Sequence, residues 1–197
     1  GILKKSNSGE AKPKDLIGIP WMLAFALRKD GWYLRQDIIW AKNSVMPEPV
    51  KDRCTKSHEY IFLLSKQAHY YFDYLAIQEP IATSTENKKS KLLSNITEVE
   101  TRNKRDVWTV SPARESDSHF AIFPETLITP CILAGSRKDG IVLDPFFGSG
   151  TTGKVAFANG RKFLGIELNP EYVEIEKKKI TNNYKWFVEY EVIKNND

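Results

Sequence analysis

Between Ile141 and Tyr172 the chain reads IVLDPFFGSGTTGKVAFANGRKFLGIELNPEY. A short β-branched run, Ile141–Leu143, meets Asp144-Pro145, then a loop of glycines and hydroxyls, a helical segment, and a second apolar run, Phe163–Ile166, closed by Glu167. This order predicts one βαβ unit whose ligand site lies in the first turn. Unpaired N–H groups at a helix start, together with the helix dipole, seat an anionic group, and glycines let it come close to the backbone. A nucleotide-type ligand is expected there.

The loop satisfies three patterns at once. Gly148, Gly150 and Gly153 spell G-x-G-x-x-G, the dinucleotide fingerprint. Gly148, Gly153 and Lys154 spell all but the last letter of G-x-x-x-x-G-K-[ST], the phosphate-binding loop of nucleotide hydrolases. Position 155 is Val, so the hydroxyl that would hold Mg²⁺ is missing, and Thr151 and Thr152 precede the lysine. Lys154 therefore reads as a solvated first-turn lysine, and a hydrolase is kept only as a minor alternative.

Glu167 stands 23 residues after Asp144, where an acid accepts hydrogen bonds from two ribose hydroxyls. That suits NAD, and it suits any adenosine ligand equally. A dianionic pyrophosphate has no use for a carboxylate at the strand tip, yet Asp144-Pro145-Phe146-Phe147 is placed there. A ligand carrying an ammonium and a sulfonium welcomes one, and S-adenosylmethionine is that ligand.

The run DPFFGSGTTG followed by FLGIELNPEY resembles the two cofactor motifs of the amino-group DNA methyltransferases, which methylate N6 of adenine or N4 of cytosine. Within them it is similar to the group whose catalytic half precedes the cofactor half. The resemblance implies an α/β fold, a Rossmann-like S-adenosylmethionine-dependent methyltransferase sheet. It implies Asp144, Pro145, Phe146, Gly148, Ser149, Gly150, Thr151 and Thr152 as the first cofactor motif, which cradles the methionine end. It implies Glu167 on the ribose, Leu168 against adenine and Asn169 completing the second motif. SHFAIFP, 118–124, is similar to the family's third cofactor motif, which implies His119, Phe120, Phe123 and Pro124 as wall residues. KDLIGIPW, GWYLRQDIIWAKN, MPE, HEYIFLLSK and YYFD resemble the stretch that follows the catalytic strand. They imply that Lys42, Asn43, Pro47 and Glu48 border the cleft in which an extruded base is handled.

The family's catalytic signature, Asp/Asn/Ser-Pro-Pro-aromatic, does not occur in the sequence. It is not dispensable: an exocyclic amine is conjugated and weakly nucleophilic, so it needs acceptors for its protons and an aromatic face for the extruded ring. The nearest imitation, Asn169-Pro170-Glu171-Tyr172, has Glu for the second proline and follows directly on Glu167, so it belongs to the second cofactor motif. The catalytic residues are unassigned, and the resemblance places them before Gly1. The chain is expected to be the C-terminal part of a restriction-modification or orphan methylase, inactive by itself and binding S-adenosylmethionine weakly or not at all. Its sheet would be incomplete, with an edge open to the missing N-terminal part or to a second copy. The alternative is a non-catalytic nucleic-acid-binding or assembly module of the same fold.

Composition sets wide bounds. A chain of 197 residues, 41% hydrophobic, suffices for one globular domain, and 1–197 is expected to be a single truncated methyltransferase domain. No run of about 18 apolar residues offers a membrane span, GILKKSNSGE has no signal-peptide core, and a cytoplasmic location is expected. Cys54 and Cys131 are isolated and three histidines are scattered, which predicts no disulfide, no metal site and two buried or half-buried thiols. The net charge of +4 permits double-stranded DNA as partner without requiring it. Trp21, Trp32 and Trp40 are expected in the core or a cleft wall, and His58 and His69 as hydrogen-bonded strand-end residues.

In chain order, a helix is predicted from Asp15, its N-cap, through Ile19, Met22, Leu23, Ala26 and Leu27 to Gly31, with Pro20 in the first turn. Tyr33–Ala41 and His58–Ser65 read as strands, antiparallel neighbours at a sheet edge. Residues 74–118 read as a polar insert, basic over 84–105, where Lys88, Lys89, Lys91, Arg102, Lys104 and Arg105 outnumber Glu86, Glu98 and Glu100 and are candidate phosphate contacts. A helix tolerating Pro130 follows to Ala134, and beyond the βαβ unit a helix over Tyr172–Ile180 and a strand over Trp186–Ile193 are expected.

Overall fold

The computed structural model describes residues 11–81, 100–113, 122–169 and 171–173. His119, Phe120, the expected helix from residue 174 onward and the expected strand at 186–193 lie outside them. The chain divides into two compact units, Gly1–Ile38 with Tyr60–Tyr70 and Ile39–Glu59 with Tyr71–Asp197.

The first unit holds helix α1, Ile19–Lys29, and most of strands β1, Tyr33–Ala41, and β2, His58–Ser65. Both strands have the expected limits. The helix does not begin at Asp15. Its N-cap is Gly18, left-handed at φ 75°, while the Asp15 carboxylate accepts the Lys12 N–H at 2.7 Å in a separate turn. Pro20 is the reason: it lacks an N–H and its ring displaces the carbonyl four residues earlier, so the helix cannot extend back to Asp15. A left-handed entry then favours glycine. Trp21 packs against Phe25, Tyr60 and Phe62, ring centroids 5.6, 5.4 and 4.9 Å away, and Ala24 is buried. Ile19, Met22 and Leu23, the residues of the sequence's apolar stripe, are 60%, 57% and 59% exposed.

The second unit continues through a 3-10 turn at Leu75–Ile77, β3 Glu79–Pro80, β4 Thr101–Arg102, β5 Val107–Thr109, α2 Glu125–Gly135, β6 Ile141–Asp144, α3 Thr151–Ala158 and β7 Lys162–Gly165. The first sheet runs β2-β1-β5, so β2 is an edge as expected, but β1 is interior. β5 pairs parallel with the end of β1, Trp40 opposite Trp108. Both indoles are buried and both donate from Nε1, Trp40 to the Val110 carbonyl at 2.9 Å and Trp108 to that of Arg105 at 2.6 Å. Within 74–118, β3 and β4 pair antiparallel, and Glu79 accepts from Arg102 at 2.9 Å and Arg105 at 2.6 Å. Desolvation raises the Glu79 carboxyl, but the two guanidiniums outweigh it and hold the group below the usual carboxylate range.

The βαβ unit is formed as the sequence predicts. β6 and β7 pair parallel, Ile141 opposite Lys162 through Asp144 opposite Gly165. One face of this pair, through Val142 and Phe163, packs with Ile128 on the core of Ile132, Val155 and Ala156 supplied by α2 and α3. The other face is bare: Ile141, Leu143, Leu164 and Ile166 are all more than half exposed. Parallel strands normally have both faces covered, and each such side chain gains about 1.5–3 kcal/mol on full burial.

The cysteine expectation holds for one residue only. Cys54 is exposed, since its surroundings, KDRCTK, give it no apolar neighbours to bury against. Cys131 lies half-buried on α2, and burial pushes its thiol up to about 11.

Candidate functional site

The site is built on the turn joining β6 to α3 and on the residues just past β7, at the C-terminal ends of two neighbouring parallel strands, where open α/β sheets bind ligands. Asp144 ends β6, and its carboxylate is used twice, accepting the Phe146 N–H at 2.9 Å and the Thr152 hydroxyl at 2.6 Å. Glu167, just past β7, reaches back over the loop. Its Oε2 accepts the Gly148 N–H at 2.8 Å and its Oε1 the Asn169 N–H at 2.7 Å. The two carboxylates therefore bracket the glycine loop, Glu167 on the amide of Gly148 and Asp144 on that of Phe146 just before it. Each oxygen retains acceptor capacity.

Gly148 and Gly150 take φ of 54° and 77°, which explains their identity, and Gly150 is the N-cap of α3. Gly153 is glycine for another reason. A Cβ there would lie 2.5 Å from the ring of Phe147, and one at Gly165 would lie 2.3 Å from it. Phe147 is buried, stacks on Phe163 at 5.6 Å and donates its N–H to the Ile166 carbonyl at 3.0 Å. It pins the loop to β7. The resemblance passes it over, and the signal that marks it is the pair of glycines its ring requires.

The other expected residues separate by exposure. Phe146 and Leu168 are 89% and 96% exposed, two apolar side chains free to meet a ligand on either side of the carboxylates. Thr152 is buried, its hydroxyl donated to Asp144, so it holds the carboxylate in place. Ser149 and Thr151 are half-buried in the loop. Asn169 caps the helical turn after it, its Oδ1 accepting the Glu171 N–H at 3.0 Å, which gives Asn169-Pro170-Glu171-Tyr172 a structural reason of its own. Phe123 and Pro124 are half-buried and run directly into α2.

Lys154 is not a solvated lysine. Its Nζ lies 2.5 Å from Glu125 Oε1, at the first residue of α2. Val155 is buried in the core of α2 and α3. A phosphate-binding loop would need that lysine free and a hydroxyl in place of the valine. In the first turn of α3 a lysine is at the wrong end of the helix dipole, unfavourable by about 0.3–1 kcal/mol, and an exposed ion pair returns about 0–1 kcal/mol. Net stability does not explain the pair.

Arg161, unremarked in the sequence, is buried. It donates to the carbonyls of Asn159 at 2.6 Å and Ser136 at 2.8 Å, just past the C-terminal ends of α3 and α2. Carbonyls at helix ends are favourable partners for a cation. Of the residues expected to border a base-handling cleft, Lys42 is ion-paired with Glu59 and lies 4.5 Å over the Trp40 ring, and Glu48 is paired with Arg53 at 2.5 Å. Among the described residues, no group of acids, histidines and cysteines is arranged to hold a metal ion, and no helix is long and apolar enough to cross a membrane.

Comparisons with known proteins bear on the family and the fold. A family model described as DNA methylase, N6_N4_Mtase, matches residues 5–178. The type II methyltransferase M.SmaI of Serratia marcescens is 53% identical over 169 residues, 86% of this chain and 53% of that protein. M.Cfr9I of Citrobacter freundii, also a type II methyltransferase, is 53% identical over 164 residues, 83% of this chain and 50% of its own length. The chain thus spans about half the length of the curated relatives it matches. Among solved structures, the M1.HpyAVI–SAM complex superposes with a TM-score of 0.57 at 26% identity, covering 83% of this chain and 70% of that one. The PvuII DNA methyltransferase, described as cytosine-N4-specific, gives 0.62 at 22% identity, covering 89% and 64%, a likeness of fold.

Proposed function

Since the chain belongs to the N6/N4 DNA methylase family and has its Rossmann-like α/β fold, we propose that it is the S-adenosylmethionine-binding portion of a type II DNA methyltransferase that modifies the exocyclic amine of adenine or cytosine. The observation that carries this is the pair of carboxylates bracketing the glycine loop, Asp144 on the Phe146 N–H and Glu167 on that of Gly148. A carboxylate at each strand tip suits a ligand with a cationic methionine end and a ribose. When bound, the donor supplies an electrophilic methyl group on its sulfonium. Asp144 attracts the cationic end, Thr152 keeps that carboxylate in place, Glu167 accepts from the ribose hydroxyls, and Phe146 and Leu168 offer apolar contact, Leu168 to the adenine. Phe123 and Pro124 wall the methionine side.

The acceptor side of the reaction belongs to another part of the protein, because the Pro-Pro-aromatic signature is not in this sequence. The same part, or a second copy, covers the bare face of Ile141, Leu143, Leu164 and Ile166 and the exposed stripe of α1. By itself the chain transfers no methyl group. Residues 1–197 are then one methyltransferase domain, with 74–118 as a polar insert whose basic stretch, 84–105, meets double-stranded DNA. Glu79 sets the direction of Arg102 and Arg105 at the base of that insert, leaving guanidinium donors for phosphates.

Calorimetric titration tests the reading. The sequence alone suggests weak donor binding or none, but Glu167 and Thr152 hold the loop and the Asp144 carboxylate from within the chain, so S-adenosylmethionine and S-adenosylhomocysteine should bind it, and Mg·ATP and NAD should not displace them. Glu167→Ala should weaken the donor about tenfold to a hundredfold, about 1.4–2.8 kcal/mol. Tight binding of Mg·ATP with none of the donor would reverse the assignment.

A further inference from the structure

The Lys154–Glu125 ion pair has no part in the reaction as described, and it is the one piece of the loop's sequence pattern that donor binding leaves unused. It joins two segments that the proposed site needs side by side. Lys154 lies one turn into α3, its N–H donating to the carbonyl of Gly150, the last residue of the glycine loop, at 3.0 Å. Glu125 is the first residue of α2 and follows directly on Phe123 and Pro124. Neither helix start is held by a capping side chain: the N-caps are Pro124 and Gly150, and neither makes a side-chain cap hydrogen bond. At the opposite ends the two helices are tied by buried Arg161. At the ligand end the salt bridge between Glu125 and Lys154 spans the two starts at 2.5 Å.

We infer that Lys154 and Glu125 are positioning residues, a clamp that sets the 122–124 wall against the glycine loop and so fixes the width of the donor site. This rests on the donor-binding reading above. The lysine's unfavourable place on the helix dipole is accounted for if the position is retained for geometry and not for stability. The clamp also predicts a sign that simple electrostatics does not. S-adenosylmethionine is net cationic, so a lysine acting through long-range charge would repel it and its removal would tighten binding, whereas loss of Glu125 would weaken it; a lysine paired with the donor's own carboxylate would be lost in the charge-exchanged variant, which would then fail to restore binding. Under the clamp, losing either partner weakens binding.

The experiment is donor titration of the full chain at low salt, with thermal melting alongside, for wild type, Lys154→Met, Glu125→Gln and the charge-exchanged double variant Glu125→Lys/Lys154→Glu. Both single variants should bind S-adenosylmethionine about fivefold more weakly, with Tm within about 2 °C of wild type, and the exchanged pair should recover most of the loss. The differences should fade in high salt. Opposite signs in the two single variants, unchanged affinity in both, failure of the exchange to restore binding, or affinity falling only in step with Tm would each overturn the clamp. A wild-type chain that takes up no donor would overturn the donor reading and this role with it, whereas wild-type binding that the variants share overturns the clamp alone.

Discussion

The βαβ unit at 141–165 and the helix α1 at 19–29 are both amphipathic on paper, and they end up opposite in the structure. In the first, Val142, Phe163 and Val155 find cover from α2 and α3. In the second, Ile19, Met22 and Leu23 face outward while Trp21 and Ala24 take the inner side. An apolar stripe says that a surface wants a partner. It does not say that the partner lies within the same stretch of chain. The bare half of the βαβ unit, Leu143 and Leu164 included, makes the same point inside one element.

The sharpest way to break this contrast is at the covered side. Arg161→Met should cost about 3 kcal/mol, because it removes charge-assisted hydrogen bonds and leaves helix-end carbonyls buried without donors. Gly165→Ala should cost about 2–3 kcal/mol, since the new methyl would occupy the Phe147 ring and push it from Phe163. Urea midpoints measure both, and the second variant should also lose donor binding. If α1's stripe has no partner, as among the described residues, Met22→Gln with Leu23→Gln should change the midpoint by less than about 0.5 kcal/mol while reducing self-association in sedimentation. A loss comparable to that of Gly165→Ala would mean the stripe is buried after all.

A smaller effect separates the basic insert from both. The Glu79 carboxyl is held below its ordinary value of 4.5. The folded state therefore binds fewer protons than the unfolded chain near that pH, so the contribution is present above about 4.5 and lost as pH falls through the folded value. Glu79→Gln should lower stability at neutral pH and make no difference in strong acid. Urea midpoints at about pH 7 and about pH 3 decide it, and an equal deficit at both would remove the ion pairs from the account.

Much of the site was legible because its determinants are local. Glycines at positive φ, a carboxylate at each strand tip and a helix starting at Thr151 all act within one supersecondary unit, and 141–167 folds as its sequence suggests. Phe147 was illegible for the opposite reason: its importance lies in Gly153 and Gly165, which are glycines because its ring lies against them, a relation no window of sequence displays. Arg161 carries no local signal, because its role depends on the ends of α2 and α3 meeting around it. Lys154 reads as solvated in the sequence because its partner lies 29 residues away on another helix. Asp15 satisfied the rule for a helix start, and Pro20 overrode it.

The central claim is that the loop between Asp144 and Glu167 grips the methyl donor. Amide NMR spectra of the chain titrated with S-adenosylmethionine test it residue by residue. The account predicts the largest shifts at Phe146, Gly148, Gly150, Leu168 and Asn169, saturating together and lost in Glu167→Ala. Shifts confined to α1 or to the β3–β4 pair, with the Gly148 and Gly150 amides unmoved at saturation, would contradict it.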